Sequence, residues 1–373
     1  MKKIIVGIIV LAVVVWGGVK LFGTKEEKTK EAIKIGVLIP ITGLASAIGE
    51  DNRQGLEIAK EDLLIKYSNL KLEILYEDTA YDAKIAVNGY HKLRDVNKVG
   101  VIISGGTKIS GPIRALAQVD KVLQMAIWSA APSYSDTHDL NYRTTPMSDD
   151  NVPVLINYLV RNKLKTLAIF YTNDEFGVTY KEAFEKFALV AGIDLVIVDG
   201  YIPTGKDFRV QLAKIKSKKP QAMFVAGTAP NLGNIFKQAR EIGIDARFIS
   251  QGAAENKQML DGALGAAEGL IYSYYFNPAS KYAKDFADKY FARHSKVASQ
   301  YAAEAYTGLM LIGEAVNYCD NKANNDCLKN YIDNFQNSPT VLGLATINKQ
   351  GDLKPDDVFL KTVKNGQFVK YEE

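Results

Sequence analysis

Histidine and cysteine are scarce: the 373 residues hold three of the first and two of the second. His91, His138 and His294 lie far apart along the chain. His91 and His294 fall within helical patterns and His138 in a polar turn, so they read as solvated or packed side chains. No histidine lies near the cysteines, which excludes a zinc site built on them. No glycine-rich loop ends in Gly-Lys-Ser or Gly-Lys-Thr, so the usual cradle for a nucleotide phosphate is missing. No G-x-S-x-G turn offers a nucleophile. Asp149 and Asp150 are adjacent, and adjacent side chains diverge, so they read as a solvated turn rather than paired acids. No nucleophile–base pair can be named, and neither a catalytic residue nor a metal or cofactor site is expected. The formal net charge is only +4, with basic and acidic residues interleaved. Without a basic stripe, nucleic acid is excluded as a partner.

What the chain does have begins at its first residues. Met1-Lys2-Lys3 is followed by an uncharged apolar run from Ile4 to Val19. Residues 1–22 therefore read as a signal peptide or an N-terminal membrane anchor. No small-x-small cleavage site precedes Lys20 and no lipid-accepting cysteine follows, which favours the uncleaved anchor. Residues 23–32 are charged and poor in apolar side chains, a solvated tether. The remainder is expected outside the cytoplasm. That setting permits a disulfide, and Cys319 and Cys327, with a polar stretch between them, suggest a small closed loop joining two helices.

From Ile33 onward strand and helix patterns alternate. The order strand, loop, helix occurs four times up to Trp128 and four times again from Thr166 to Ile249. Such alternation predicts parallel sheets with helices on both faces, and two runs predict two doubly wound α/β lobes of one design, joined by a multi-strand hinge. The expected division is residues 33–150 plus 272–338 for one lobe and 151–271 plus 339–373 for the other. In open sheets of this kind ligands bind beyond the carboxyl ends of the strands. The stretch Gly105–Arg114 (GGTKISGPIR) stands out. Two glycines suit a sharp turn after an apolar strand. Ser110 is placed as the N-cap of the next helix and Pro112 in its first turn. Such a junction would hold a carboxylate.

Several segments together resemble the branched-chain amino-acid type of periplasmic solute-binding proteins. They are residues 33–63 (IKIGVLIPITGLASAIGEDNRQGLEIAKEDL), YRTTP at 142–146, DEFG at 174–177, TGKDF at 204–208, FKQAREIG at 236–243 and QYAAEA at 300–305. The resemblance implies a two-lobed type I fold that closes on a small solute and delivers it to the permease of an ABC importer. It implies ligand-binding roles for Ser110, on the solute's carboxylate, and for the backbone of Ala130 and Ala131. Pro132 stands where the family has a hydroxyl residue, leaving Ser133 as the substitute. Phe176 matches an aromatic that covers the solute. Ile48 and Thr228 replace aromatics, and Gln251 replaces the acid that pairs with an ammonium. These departures leave an amino acid, a carboxylate or an amide open as the ligand. Trp128 is either a stacking surface or a core indole. A ligand-sensing module of a signalling system and a nucleotide-using α/β enzyme are the alternatives.

Overall fold

A computed structural model describes residues 32–135 and 139–372. His138 and the segment read as signal or anchor lie outside the described residues, and so does the tether apart from Ala32. The first half of the chain forms a five-stranded parallel sheet, in the order β2-β1-β3-β4-β5, from β1 (Ile33–Ile39), β2 (Leu72–Asp78), β3 (Val101–Gly105), β4 (Leu123–Ile127) and β5 (Asn141–Arg143). The strands β3 and β4 are wholly buried, as their unbroken apolar runs require of strands covered on both faces. Helices α1 (Ser46–Lys66), α2 (Ala83–His91) and α3 (Thr107–Asp120) connect them.

After α4 (Ser148–Arg161), a second sheet has the order β15-β14-β10-β9-β8-β6-β7. Its parallel part is β6 (Thr166–Thr172), β7 (Asp194–Tyr201), β8 (Ala222–Ala226), β9 (Arg247–Ser250) and β10 (Ile271–Tyr274). Helices α5 (Glu175–Ala191), α6 (Arg209–Ser217), α7 (Ala229–Glu241) and α8 (Lys257–Ala263) alternate with them. The chain then returns to the first sheet with α9 (Lys284–His294), α10 (Gln300–Tyr318) and α11 (Asn325–Asp333). The helix α10 packs along α1, where Gly55 allows contact: a side-chain carbon there would lie 2.2 Å from the Ala302 carbonyl oxygen.

A small antiparallel sheet of β11 (Ser338–Thr340), β12 (Gly343–Ile347) and β13 (Leu353–Pro355) follows. The hairpin β14 (Phe359–Lys364) and β15 (Gln367–Lys370) then joins the second sheet antiparallel to β10. The chain thus crosses between the halves at residues 144–147, 275–283 and 356–358. Two expected boundaries do not follow the sheets. Residues 272–274 belong to β10 and the second sheet. Residues 339–355 hang on the first, through Arg143 N–H to the Gly351 carbonyl (3.0 Å) and the buried Arg143–Asp352 ion pair (2.7 Å).

Cys319 and Cys327 are bonded, tying the end of α10 to the start of α11. The bridge closes a short loop, so it constrains the unfolded chain modestly. Cys319→Ser/Cys327→Ser should cost about 2–3 kcal/mol in denaturant titration. Since the bridge is remote from the crossings, solute affinity should be unchanged in the same variant.

Candidate functional site

The carboxyl ends of both sheets face one cavity. The first half contributes Ile48, Tyr81, Trp128 and Ala130; the second contributes Thr172, Asp174, Phe176, Thr228 and Gln251. Thr145 and Tyr275 from the crossings, with Gln300 and Tyr301 from α10, complete the wall. The cavity is about 60 Å³ in volume, a size that suits a small solute.

Ile48 and Phe176 are presented in the same way. Each precedes a glycine in the first helix after the first strand of its sheet. A side-chain carbon on Gly49 would sit 1.8 Å from the Pro40 carbonyl oxygen, and one on Gly177 would sit 1.9 Å from that of Thr172. The helix backbone therefore lies directly on the strand end, and the preceding side chain is aimed into the cleft. Asp174 caps the second of these helices, accepting the Gly177 N–H at 3.0 Å, and it also accepts the Thr172 hydroxyl at 3.2 Å.

Three aromatic rings form one wall. Tyr81 stacks on Trp128, with centroids 5.2 Å apart, and Tyr301 meets the indole edge-on at 6.0 Å. The pair Gly105–Gly106 does more than turn the chain. A side-chain carbon at either would lie 2.6 Å from the Trp128 Nε1 or the Tyr81 ring respectively, so both glycines make room for the stack. Trp128 and Tyr81 have φ of +43° and +56°, a conformation that non-glycine residues adopt at a cost and that clusters at functional sites.

Beneath this wall lies Glu304, wholly buried on α10. It accepts the Trp128 N–H and the Thr145 hydroxyl, both at 2.5 Å, and the Tyr275 hydroxyl. Burial pushes its carboxyl up from the ordinary 4.5 to about 7, against the pull of those hydrogen bonds. The folded state therefore holds the proton more tightly than the unfolded chain. Stability from this group is fully present below pH 4.5 and is lost as pH rises through about 7. The loss should reach about 3 kcal/mol. Glu304→Gln keeps the shape and should flatten that decline, read by denaturant melts at pH 5 and pH 8. Equal pH slopes in both proteins would refute this.

Of the eight expected ligand residues, Ile48, Ala130, Phe176, Thr228 and Gln251 line this cavity. Ala131 and Ser133 face a neighbouring cavity, together with Glu175 from the opposite half. Ser110 faces neither. The helix α3 begins earlier than expected, at Thr107, because Gly106 turns the chain at φ +100°. Ser110 and Pro112 consequently sit inside the helix. The Ser110 hydroxyl accepts that of Ser104 at 3.0 Å and donates to the Ser104 carbonyl, while Gln124 donates to the Ser110 carbonyl. A serine consumed between strand and helix cannot grip a carboxylate in the cavity. The residue at the helix start is Thr107, whose hydroxyl accepts the Ala130 N–H at 3.1 Å and so fixes the cavity loop. Gln251 is also engaged, accepting the Ala253 N–H at 2.6 Å and donating to the Gly227 carbonyl at 3.2 Å. Sequence reasoning passed over Glu304, although it lies within the QYAAEA segment; a lone acid in an apolar helix gives no sign of its depth.

Two open α/β sheets sharing one cleft at their carboxyl rims define a bilobal solute receptor. The chain belongs to the periplasmic binding protein family, whose sequence pattern matches residues 32–367. It is a solute-binding receptor of the extracytoplasmic kind. The Leu/Ile/Val-binding protein of Escherichia coli K12 is 25% identical over 335 residues, 87% of this chain and 89% of that protein. A leucine-binding protein of Thermotoga maritima superposes with a TM-score of 0.85 at 22% identity, over 91% of this chain and 98% of its own. An ABC-transporter solute-binding protein of Rhodopseudomonas palustris, in complex with 3,4-dihydroxybenzoic acid, superposes with a TM-score of 0.80 at 21% identity, over 91% and 95%.

Proposed function

We propose that the chain captures a small solute, an amino acid or a related carboxylate or amide, and hands it to the permease of an ABC importer. It acts by binding alone, with no bond made or broken. In this reading residues 1–22 tether it to the membrane. The observation that carries the proposal is the shared cavity, with walls from both sheets and the crossings, because a solute touching both halves favours the closed arrangement. Glu175 on α5 already reaches Gly111 on α3, where an added carbon would lie 3.5 Å from its carboxylate, so the halves meet at the rim. The relatives' names support an amino-acid-like ligand, and the departures at Ile48, Thr228 and Gln251 argue for a different one from theirs.

A thermal-shift panel of amino acids, short carboxylates, amides, amines and nucleotides tests this. At least one small solute should raise the midpoint by several degrees, with saturation. Stabilisation by nucleotides alone would overturn the reading.

A further inference from the structure

We infer that a pocket between α1, α10 and the small third sheet is a second ligand site, and that it takes a small neutral phenol: one aromatic ring bearing one hydroxyl. This goes beyond the receptor reading. The apolar walls are Tyr306, Met310 and Leu311 on α10, Tyr282 from the second crossing, Phe335 beyond α11 and Val341 after β11. The solute cavity uses Gln300 and Tyr301 at the start of the same helix. Thr307, on the wall of the second pocket, lies six residues beyond Tyr301, about 9 Å along the axis and on a different helix face. The two spaces share no lining residue. The second has a volume of about 210 Å³, against about 60 Å³ for the first. An apolar cavity of about 150 Å³ takes a benzene ring, so this one has room for a ring with a substituent.

The walls suit a ring. Tyr306 is fixed, its ring packed on Phe286 with centroids 4.6 Å apart and its hydroxyl donating to Asp62 at 2.8 Å. Met310 brings a thioether, which makes favourable contacts with aromatic rings. Thr307 supplies the polar contact. It is only 2% exposed, and its hydroxyl has no partner among the described residues. A buried hydroxyl left unmet costs free energy, which a ligand hydroxyl would relieve by accepting from it or donating to it. Neighbouring polar groups are engaged elsewhere: Lys66 pairs with Glu314 at 2.7 Å, and the Thr340 hydroxyl donates to the Gly343 carbonyl at 2.9 Å. Because Lys66 and Glu314 balance each other's charge, a neutral ligand leaves that pair undisturbed. Water would meet the Thr307 hydroxyl but keep Tyr282, Met310 and Phe335 wet. A phenol meets the hydroxyl and covers those side chains together.

The test uses phenol, toluene and cyclohexanol in ligand-observed NMR titrations at pH 7, where a phenol keeps its proton. Phenol should saturate one site and bind about fivefold more tightly than toluene, the scale of one added hydrogen bond. Cyclohexanol, which has the hydroxyl but no aromatic face, should also bind more weakly than phenol. Thr307→Val, which puts a methyl where the hydroxyl was, should bring phenol down to the level of toluene and leave toluene unchanged. Its melting temperature should not fall, since the hydroxyl makes no bond in the unliganded protein. Tyr282→Ala removes one wall at a half-buried position and should weaken phenol and toluene alike, which locates the site even where Thr307→Val fails to fold. Phenol that does not saturate, toluene or cyclohexanol binding as tightly, or phenol affinity unchanged in either folded variant would overturn the inference. None of these outcomes bears on solute capture in the first cavity.

Discussion

Asp352→Asn should destabilise the protein by about 3–5 kcal/mol, the cost of leaving a buried charge without its partner. Arg143 is wholly buried, and its Nε donates to Asp352 at 2.7 Å. Its other nitrogens donate to the carbonyls of Ser129 (3.2 Å) and Ala131 (2.6 Å) and to the Ser135 hydroxyl. One guanidinium therefore holds the loop that carries Ala130 and docks the small third sheet. Without that charge the sheet keeps its backbone bond at Arg143, the Ile347 N–H to the Phe335 carbonyl, the Lys354–Asp150 pair and the packing of Ala345, Ile347 and Leu353 in the core, but loses the partner of the buried guanidinium's charge. Denaturant titration should show the loss, and solute affinity should fall with it because the 129–135 loop relaxes. Arg143→Met with Asp352→Leu should recover much of the stability but not the loop, since an apolar pair leaves no buried charge. A loss under about 1 kcal/mol in the single variant would mean that the pair is not what fixes this region.

Gly49→Ala and Gly177→Ala should each cost about 3 kcal/mol or more. Alanine ordinarily favours a helix by about 1 kcal/mol over glycine. Here the added carbon would lie 1.8–1.9 Å from a carbonyl oxygen of the preceding strand end, and backbone cannot rotate away. Each helix must lift from its sheet, losing close packing along its first turns. Gly177→Ala should also weaken solute binding, because Phe176 and the Asp174 cap move with the helix. Melting temperatures and calorimetry on both variants check this; a stabilised Gly177→Ala would refute the close-contact account.

The alternation of strand and helix was legible because a buried parallel strand must be apolar throughout, as Val101–Gly105 and Leu123–Ile127 are. The cleft followed from topology, and Ile48, Phe176, Thr228 and Gln251, which line it, were reached through the family resemblance rather than through any local pattern of their own. Ser110 was misread because the cap pattern around Pro112 is locally consistent; only the turn at Gly106, set by packing of Tyr81 and Trp128 over it, moves the helix start. The limits of the halves were misread because Arg143 and Asp352 are 209 residues apart and nothing local marks their pairing. Glu304 and Asp174 shared that difficulty: the weight of an acid depends on what surrounds it.

Trp128 is the single tryptophan among the described residues, and its ring forms part of the cavity wall. The molecule thereby carries its own optical reporter at the point of capture. Indole emission should change in colour and intensity as solute displaces water beside the ring, so occupancy can be followed in real time, without a label, by stopped-flow fluorescence.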